Sequence, residues 1–540
     1  MELETSQSDA PPPPPAPPRA QPFLHRPGII ETLLLLAAIL PFLNSLTGPF
    51  LLDDVPLIER NAMVHRLDLL PKLWTTEYWA STGAESSLYR PLTMTTYALM
   101  WALSGKATWP FHATNILLHA LVCLLVWRVG LRAARTLPAF AAALLFAGLP
   151  IHTEAVANIV GRAEILVALG FLISLGAWNR LFDLSPQTSV QTAALPFVQF
   201  AAGALLMLFS KETGLFLAAY FLVESIGNRR FRDRESRAQC AIAFAILASC
   251  VAVYVGARAN AVSGHYLSDA TYSLHERIAL SASAALKNLE LLIFPTGQRA
   301  LWPLPDLYAI VWPVVVAGIA SILLCLLAPI RAAWRWTPFS SALVIFSLSL
   351  LPLCHLVPNI IHVWERGLYV PSIGLVLAIH AMLTMPGRQS TLSNKWLTWC
   401  FLGMAVCMPF QTAKLSGLYA DKLRFWEYQY RYNERDPGTA LNYSEALQSR
   451  NRTADAIAVR SRALKDHPDN GGLVLSLATL YQQAGDLQNL DAHLLKYSMA
   501  PLDFKTRTQS AQGLAILANM AKTRNLPAAA DAFTSASRAK

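Results

Sequence analysis

Apolar runs recur along this chain, separated by short connections rich in arginine. A membrane-crossing helix needs about 20 apolar residues, fewer where the span is broken. By that measure spans are expected near 28–47, 111–131, 137–151, 163–182, 194–210, 213–227, 238–258, 308–330, 339–357, 367–384 and 394–412, about eleven in all. Residues of the AVILMFWYC class make up 54% of the chain and charged residues only 14%. An ordinary soluble domain carries about 25% charged residues, so this chain cannot wet the surface of a normal globule. A disordered chain, a coiled coil and a disulfide-stapled secreted domain are excluded as well. The expected fold class is all-α: a polytopic helical membrane protein with soluble material attached.

Orientation follows from the basic residues, which favour the cytoplasmic side. Arg128, Arg132 and Arg135 fall in one connection, and Arg229, Arg230, Arg232, Arg234 and Arg237 in another. Arg331 with Arg335, and Arg388 with Lys395, mark two more. With a cytoplasmic start and the spans above, all four lie in the cytoplasm. The loops 48–110, 151–162, 259–307 and 358–366 and the tail after 412 then share the opposite side. Segment 276–294 carries Glu276, Arg277, Lys287 and Glu290 and reads as an amphipathic helix lying in the interface. A further span there would break the charge pattern. Residues 89–104 look similar. Residues 1–26, with the proline run from Pro11, are expected to be a disordered cytoplasmic tail. Residues 27–412 then form the membrane domain, with 48–110 as its first extracytoplasmic loop.

The net charge of +10 is scattered over these connections, so no nucleic-acid partner is expected. Seven cysteines lie in or beside apolar runs without a CxxC pair, which encodes neither a disulfide framework nor a zinc site. From about 413 the chain turns polar, alanine-rich and helical. Leu447, Leu480 and Leu514 recur in similar contexts, and Pro437, Pro468 and Pro501 punctuate the same stretch. A period near 34 residues is the signature of tetratricopeptide repeats, so 413–540 is read as a short, degenerate, extracytoplasmic array. An irregular helical hairpin domain is the alternative.

Polar groups among apolar spans are costly and mark sites. Asp53 and Asp54 follow the first span directly; paired carboxylates there suit a general base, or form a solvated turn ahead of Pro56. Arg90 offers a planar fork for a phosphate, or snorkels to the interface. His112, Asn115 and His119 share one face of the second span. Their spacing does not suit a helical metal pair, and no metal site is assigned. His152, Glu154, Asn158, Arg162 and Glu164 crowd one turn, Lys211 and Glu212 interrupt two spans, and His355, His362, Glu365 and Arg366 close the series. All lie on, or at the edge of, the side assigned to the paired aspartates.

These stretches resemble a known family. Leu52-Asp-Asp-Val, Tyr89-Arg-Pro-Leu-Thr, Phe111-His-Ala-Thr-Asn-Ile-Leu-Leu-His-Ala120, Pro150-Ile-His-Thr-Glu-Ala-Val and Val160-Gly-Arg-Ala-Glu are similar to the transmembrane and tetratricopeptide-repeat O-mannosyltransferases. So are Lys211-Glu, Leu356-Val-Pro-Asn and Glu365-Arg-Gly-Leu-Tyr-Val-Pro-Ser-Ile-Gly374. The chain departs from that pattern at Leu149, where the family usually has histidine, and in its shorter repeat array.

The resemblance implies a C-type glycosyltransferase fold and a dolichyl- or undecaprenyl-phosphate hexose donor, typically mannose. It implies transfer to a hydroxyl of a protein or glycan with inversion, and a catalytic acidic pair at Asp53 and Asp54. Asp53, with Asp54 second, is then the expected base. Arg90, Arg162, Lys211 and Arg366 are candidates for the leaving phosphate, with His112, His152, Glu154 and Glu365 lining the donor site. No cofactor is assigned, a divalent metal stays open, and the repeats present the acceptor. The compact size favours a bacterial inner membrane with a periplasmic tail; in a eukaryote the same topology means the endoplasmic reticulum. There Asn442-Tyr-Ser and Asn451-Arg-Thr are sequons. Competing functions are a polysaccharide polymerase or oligosaccharide ligase, a membrane-anchored repeat scaffold, and a transporter. The acidic loop after span one argues against the first, the number of spans against the second, and the lack of inverted halves against the third.

Overall fold

The computed structural model describes residues 27–83, 87–133, 136–184, 190–262, 272–303, 305, 310–356, 362–384, 392–504 and 507–539. The expected N-terminal tail, 1–26, lies outside them. Among the described residues the chain is helical throughout, with isolated β-bridges pairing Trp302 with Val363 and Asn470 with Asp503.

Thirteen helices of more than ten residues make up the first part: α1 (Pro27–Ile39), α2 (Pro91–Ser104), α3 (Trp109–Ala133), α4 (Thr136–Gly148), α5 (Arg162–Leu181), α6 (Val190–Ser210), α7 (Gly214–Gly227), α8 (Arg234–Ala261), α9 (Leu274–Ile293), α10 (Trp312–Trp334), α11 (Pro338–Leu350), α12 (Tyr369–Thr384) and α13 (Leu392–Ser416). Every expected span falls on one of them. Among the described residues seven stretches are long and apolar enough to cross a bilayer, and the bent pair Leu137–Gly148 with Pro150–Val156 makes a further one. The others are short or interrupted. Helix α7 has 14 residues and α11 has 13, which at about 1.5 Å per residue is less than a 30 Å hydrocarbon core. Prolines set the breaks. Pro41 lies where α1 tightens into a 3-10 turn over Leu40–Ser45, and Pro150 lies at the 48° bend after α4.

Helices α5 and α12 are the most enclosed, with 89% and 83% of their apolar windows buried, whereas α10 has 17%. The first two therefore form the centre and α10 faces lipid. Helices α5 and α6 meet through glycines: a Cβ on Gly203 would lie 2.6 Å from the Gly170 carbonyl oxygen. Small residues at such crossings let membrane helices approach and gain dispersion contact. Residues 149–172 are buried without interruption. The expected outside turn at 151–162 is a folded, buried segment beneath the first loop.

Three of the basic connections gather at one end, where Arg132, Arg230 and Trp336 line a common space, and the connection with Arg388 lies outside the described residues. Arg132 pairs with Asp183, and Gly227 abuts Ala332 and Trp336. Helix α9 keeps to the other end: the His275 ring lies 6.3 Å from that of Trp312, Ser281 donates to the His355 carbonyl, and the stretch after α9 reaches Glu365 through Arg299 and Trp302. A helix with both ends on one side lies along the interface, as its charges suggest.

Seven helices follow: α14 (Lys422–Tyr432), α15 (Pro437–Gln448), α16 (Thr453–Asp466), α17 (Gly471–Ala484), α18 (Leu487–Tyr497), α19 (Arg507–Thr523) and α20 (Pro527–Ala539). The last six form three pairs whose first helices begin at Pro437, Gly471 and Arg507. Leu447, Leu480 and Leu514 are all buried. Buried Arg460 of α16 ties neighbouring helices together, bonding Ser444 Oγ at 2.6 Å and the Ser476 carbonyl at 2.7 Å. This array rests on the end that carries the paired aspartates. Leu51, Ala157 and Ala300 share an apolar cluster with Tyr419, Phe425, Trp426 and Ala446, and Asn433 donates to the Leu301 carbonyl at 2.8 Å.

Candidate active site

The site begins where α1 and its 3-10 extension end. Leu52 adopts φ 51°, in the left-handed region that costs a branched side chain energy. Two aspartates follow that turn. Asp54 points inward and is 1% exposed, accepting the Val160 N–H at 2.9 Å and the Leu51 N–H at 3.3 Å. Burial outweighs these bonds, and Asp53 adds like charge, so the Asp54 carboxyl is pushed up to about 7. Asp53 is one-third exposed and meets Arg366 at 3.0 Å.

Arg366 is held from behind. Its backbone N–H donates to Glu154 at 2.9 Å, its guanidinium stands 3.6 Å from the same carboxylate, and it lies 5.0 Å from the Trp364 ring centroid. On the other side of Trp364, Lys211 pairs with buried Glu164 and lies 5.9 Å from the indole. Arg90 forks onto Glu212, with Nη2 at 2.9 Å and Nε at 3.0 Å, and sits 4.8 Å from the Tyr78 ring centroid. Arg90, Lys211 and Arg366 thus each hold a carboxylate at the edge of the membrane domain. This is the pattern demanded of charges taken out of water.

Not all the expected residues join them. Glu365 turns away from Arg366 and accepts the Arg299 N–H at 2.7 Å and the Trp302 indole N–H at 2.8 Å, acting as a strut for that stretch. Arg162 is fully buried and bonds neutral groups: Asn115 Oδ1 at 2.8 Å, Thr96 Oγ at 3.1 Å and the Phe111 carbonyl at 3.0 Å. It joins α2, α3 and α5 rather than facing open space. His112 bonds the Gly48 carbonyl at 3.3 Å. His152 bonds Ser372 Oγ at 2.8 Å and stacks among Phe146, His119 and Tyr369 deeper in the bundle. The structure does not bring either histidine to the charged cluster. Among the described residues no group of three or more His, Cys, Asp or Glu converges as a metal-binding set.

Sequence reasoning missed Trp364, although it immediately precedes Glu365-Arg366, and Tyr78. It also missed a cleft of about 680 Å³ between the first loop and the helical array, with Asp53 on its wall. Trp426, Asn442 and Glu445 form the far side.

No family model and no solved structure matches the chain. Curated relatives do. Mouse protein O-mannosyl-transferase TMTC3 is 23% identical over 504 residues, covering 85% of this chain. Human protein O-mannosyl-transferase TMTC1 is 42% identical over 154 residues, 27% of this chain, and human TMTC4 is 34% identical over 212 residues, 35% of it. The chain is similar to the TMTC protein O-mannosyl-transferases. It spans 53% of the mouse TMTC3 length and 17% and 29% of human TMTC1 and TMTC4. In this chain the acidic pair Asp53 and Asp54 follows the first apolar helix.

Proposed function

We propose that this chain is a membrane glycosyltransferase that moves a hexose, with mannose the expected sugar, from a polyprenyl-phosphate carrier to an acceptor hydroxyl with inversion. The observation that carries the reading is the Asp53–Arg366 pair: one carboxylate facing an open cleft, held by a cation anchored on Glu154 at the membrane edge. The relatives' name supports mannose and a protein acceptor.

In the proposed reaction the acceptor oxygen attacks the anomeric carbon in line, and the bond from that carbon to the phosphate oxygen breaks. Asp53 takes the hydroxyl proton, and polyprenyl phosphate leaves. The arriving phosphodiester would take over Arg366, releasing Asp53 as an unpaired base just as the acceptor needs it. Lys211 and Arg90, in the same cluster, would balance the charge that grows on the leaving phosphate. Asp54 supports this arrangement without touching substrate. The charged cluster and the helical array then face the periplasm, or the lumen of the endoplasmic reticulum in a eukaryote.

The test is transfer from radiolabelled polyprenyl-phosphate mannose by the purified full chain. Asp53→Asn should lower the rate by about 10²–10⁴, the usual worth of a general base. Wild-type transfer by that variant would overturn the assignment.

A further inference from the structure

We infer that a cavity at the basic end of the membrane domain, remote from the paired aspartates, binds a phosphate-bearing headgroup, and that an anionic phospholipid brings it. Helices α3, α5 and α12 begin at the end that carries Asp53 and finish around this cavity of about 370 Å³. The start of α11 and the connection after α7 close it. Helix α5 has 20 residues, which at about 1.5 Å each puts on the order of 30 Å, the thickness of a hydrocarbon core, between the two places. The site is therefore separate from the proposed chemistry, on the opposite leaflet.

The hydrogen-bonding inventory decides the sign of the ligand. Glu224 is the acidic residue of the lining, and its oxygens are already engaged: one accepts the Trp178 indole N–H at 2.8 Å, the other accepts Asn228 at 2.6 Å and Arg230 at 3.0 Å. Tyr220 and Ser341 hydroxyls satisfy each other at 2.7 Å. A cationic ligand would have to break these bonds. Donors are what the lining has to spare. Arg230 Nε is buried without a hydrogen-bond partner among the described residues, while its guanidinium is fixed 3.8 Å from the Phe182 ring centroid. A buried donor left unpaired is costly, and an arriving acceptor recovers that cost. Arg132 pairs with Asp183, which is 58% exposed, and such a wet pair yields readily to a competing anion. Asn179 adds an amide. Two guanidinium forks and an amide suit a phosphate, which accepts and does not donate.

The apolar part of the lining decides what carries the phosphate. Leu175 lies one turn inside Asn179 on α5, and Ile345 one turn inside Ser341 on α11. The polar groups thus stand at the helix ends and the apolar ones further into the membrane domain, the order of a headgroup followed by its glycerol and first acyl carbons. A soluble phosphate makes no use of the inner half. The surroundings favour the same ligand. The stretch 228–237 holds Arg229, Arg230, Arg232, Arg234 and Arg237 against Asp233 and Glu235, and Arg331 and Arg335 lead up to Trp336 in the lining. Basic pockets between helix ends on the cytoplasmic side select anionic headgroups, and tryptophan is at home at that depth.

The experiment uses the full chain in dodecyl maltoside, with phosphatidylglycerol, phosphatidylcholine and inorganic phosphate as probes. Native mass spectrometry measures bound lipid, and thermal midpoints follow stabilisation. Phosphatidylglycerol should bind about tenfold more tightly than phosphatidylcholine and raise the midpoint, while inorganic phosphate leaves it in place. Arg230→Gln and Asn179→Trp should each weaken phosphatidylglycerol binding at least fivefold. Arg232→Gln, which removes the same charge outside the cavity lining, should stay within twofold of wild type. A phosphatidylglycerol carrying a diazirine near its glycerol should label the last two turns of α5 or α7 in the wild-type chain, a readout that survives if a variant fails to fold. Equal binding of the two lipids overturns the anionic headgroup. Equal stabilisation by inorganic phosphate overturns the lipid as its source. Equal weakening by Arg230→Gln and Arg232→Gln, or labelling confined to helices that do not line the cavity, overturns the site.

Discussion

Asp53 and Asp54 are chain neighbours in divergent environments: Asp53 meets Arg366 beside the cleft, and Asp54 accepts the Val160 N–H under the loop. Asp54, sealed under the loop and raised to about 7, holds its proton in the folded chain at pH values where an unfolded aspartate has lost it. The folded state thus gains stability from Asp54 at low pH and loses it progressively between about pH 4 and 7. Asp54→Asn should therefore become more stable relative to wild type as pH rises from 5 to 8, measured as thermal aggregation midpoints. A constant difference would contradict the sign. Glu365 and Arg366 make a second divergent pair. Glu365→Gln keeps an oxygen for the Arg299 and Trp302 N–H groups and should retain most transfer activity. Arg366→Gln should lose about 10²–10³, the scale of removing one transition-state donor. The sequence displayed every one of these charges, because an ionised group in an apolar context is conspicuous. It did not display direction. Whether adjacent residues such as Asp53 and Asp54 point into the cleft or under the loop depends on partners far along the chain, Arg366 and Val160, which composition cannot specify.

At the scale of elements, hydrophobic length located the helices and proline located their breaks, since both act locally. Burial was less legible. Residues 151–162 read as an outside turn, and nothing in them announced that the turn is fully buried, with the Asn115 amide donating to the carbonyls of Val156, Asn158 and Ile159 at 3.1–3.3 Å in place of water. Close helix crossings were equally hidden. Gly203 packs against Gly170 and Ser174, while Gly176 has open space around it. Gly203→Leu should abolish a monodisperse peak on size exclusion in detergent, and Gly176→Leu should run as wild type. Equal behaviour of the two would contradict the α5–α6 contact.

At the scale of the molecule, the array is bolted to the loop end of the membrane domain through pairs far apart in the chain, such as Ala300 with Gln429 and Leu301 with Asn433. No periodicity announces such pairings. A chain ending at residue 420 should still enter membranes, since its apolar helices are intact, but the loop around Asp53 should become open to added protease. Continued protection would show that the array does not cover it. The two-walled cleft has a further consequence for anyone building hybrids. Grafting another helical array onto this membrane domain would replace one jaw of a vice and leave the other. The cleft would then match neither parent until Pro56 and Arg60 were exchanged along with the graft.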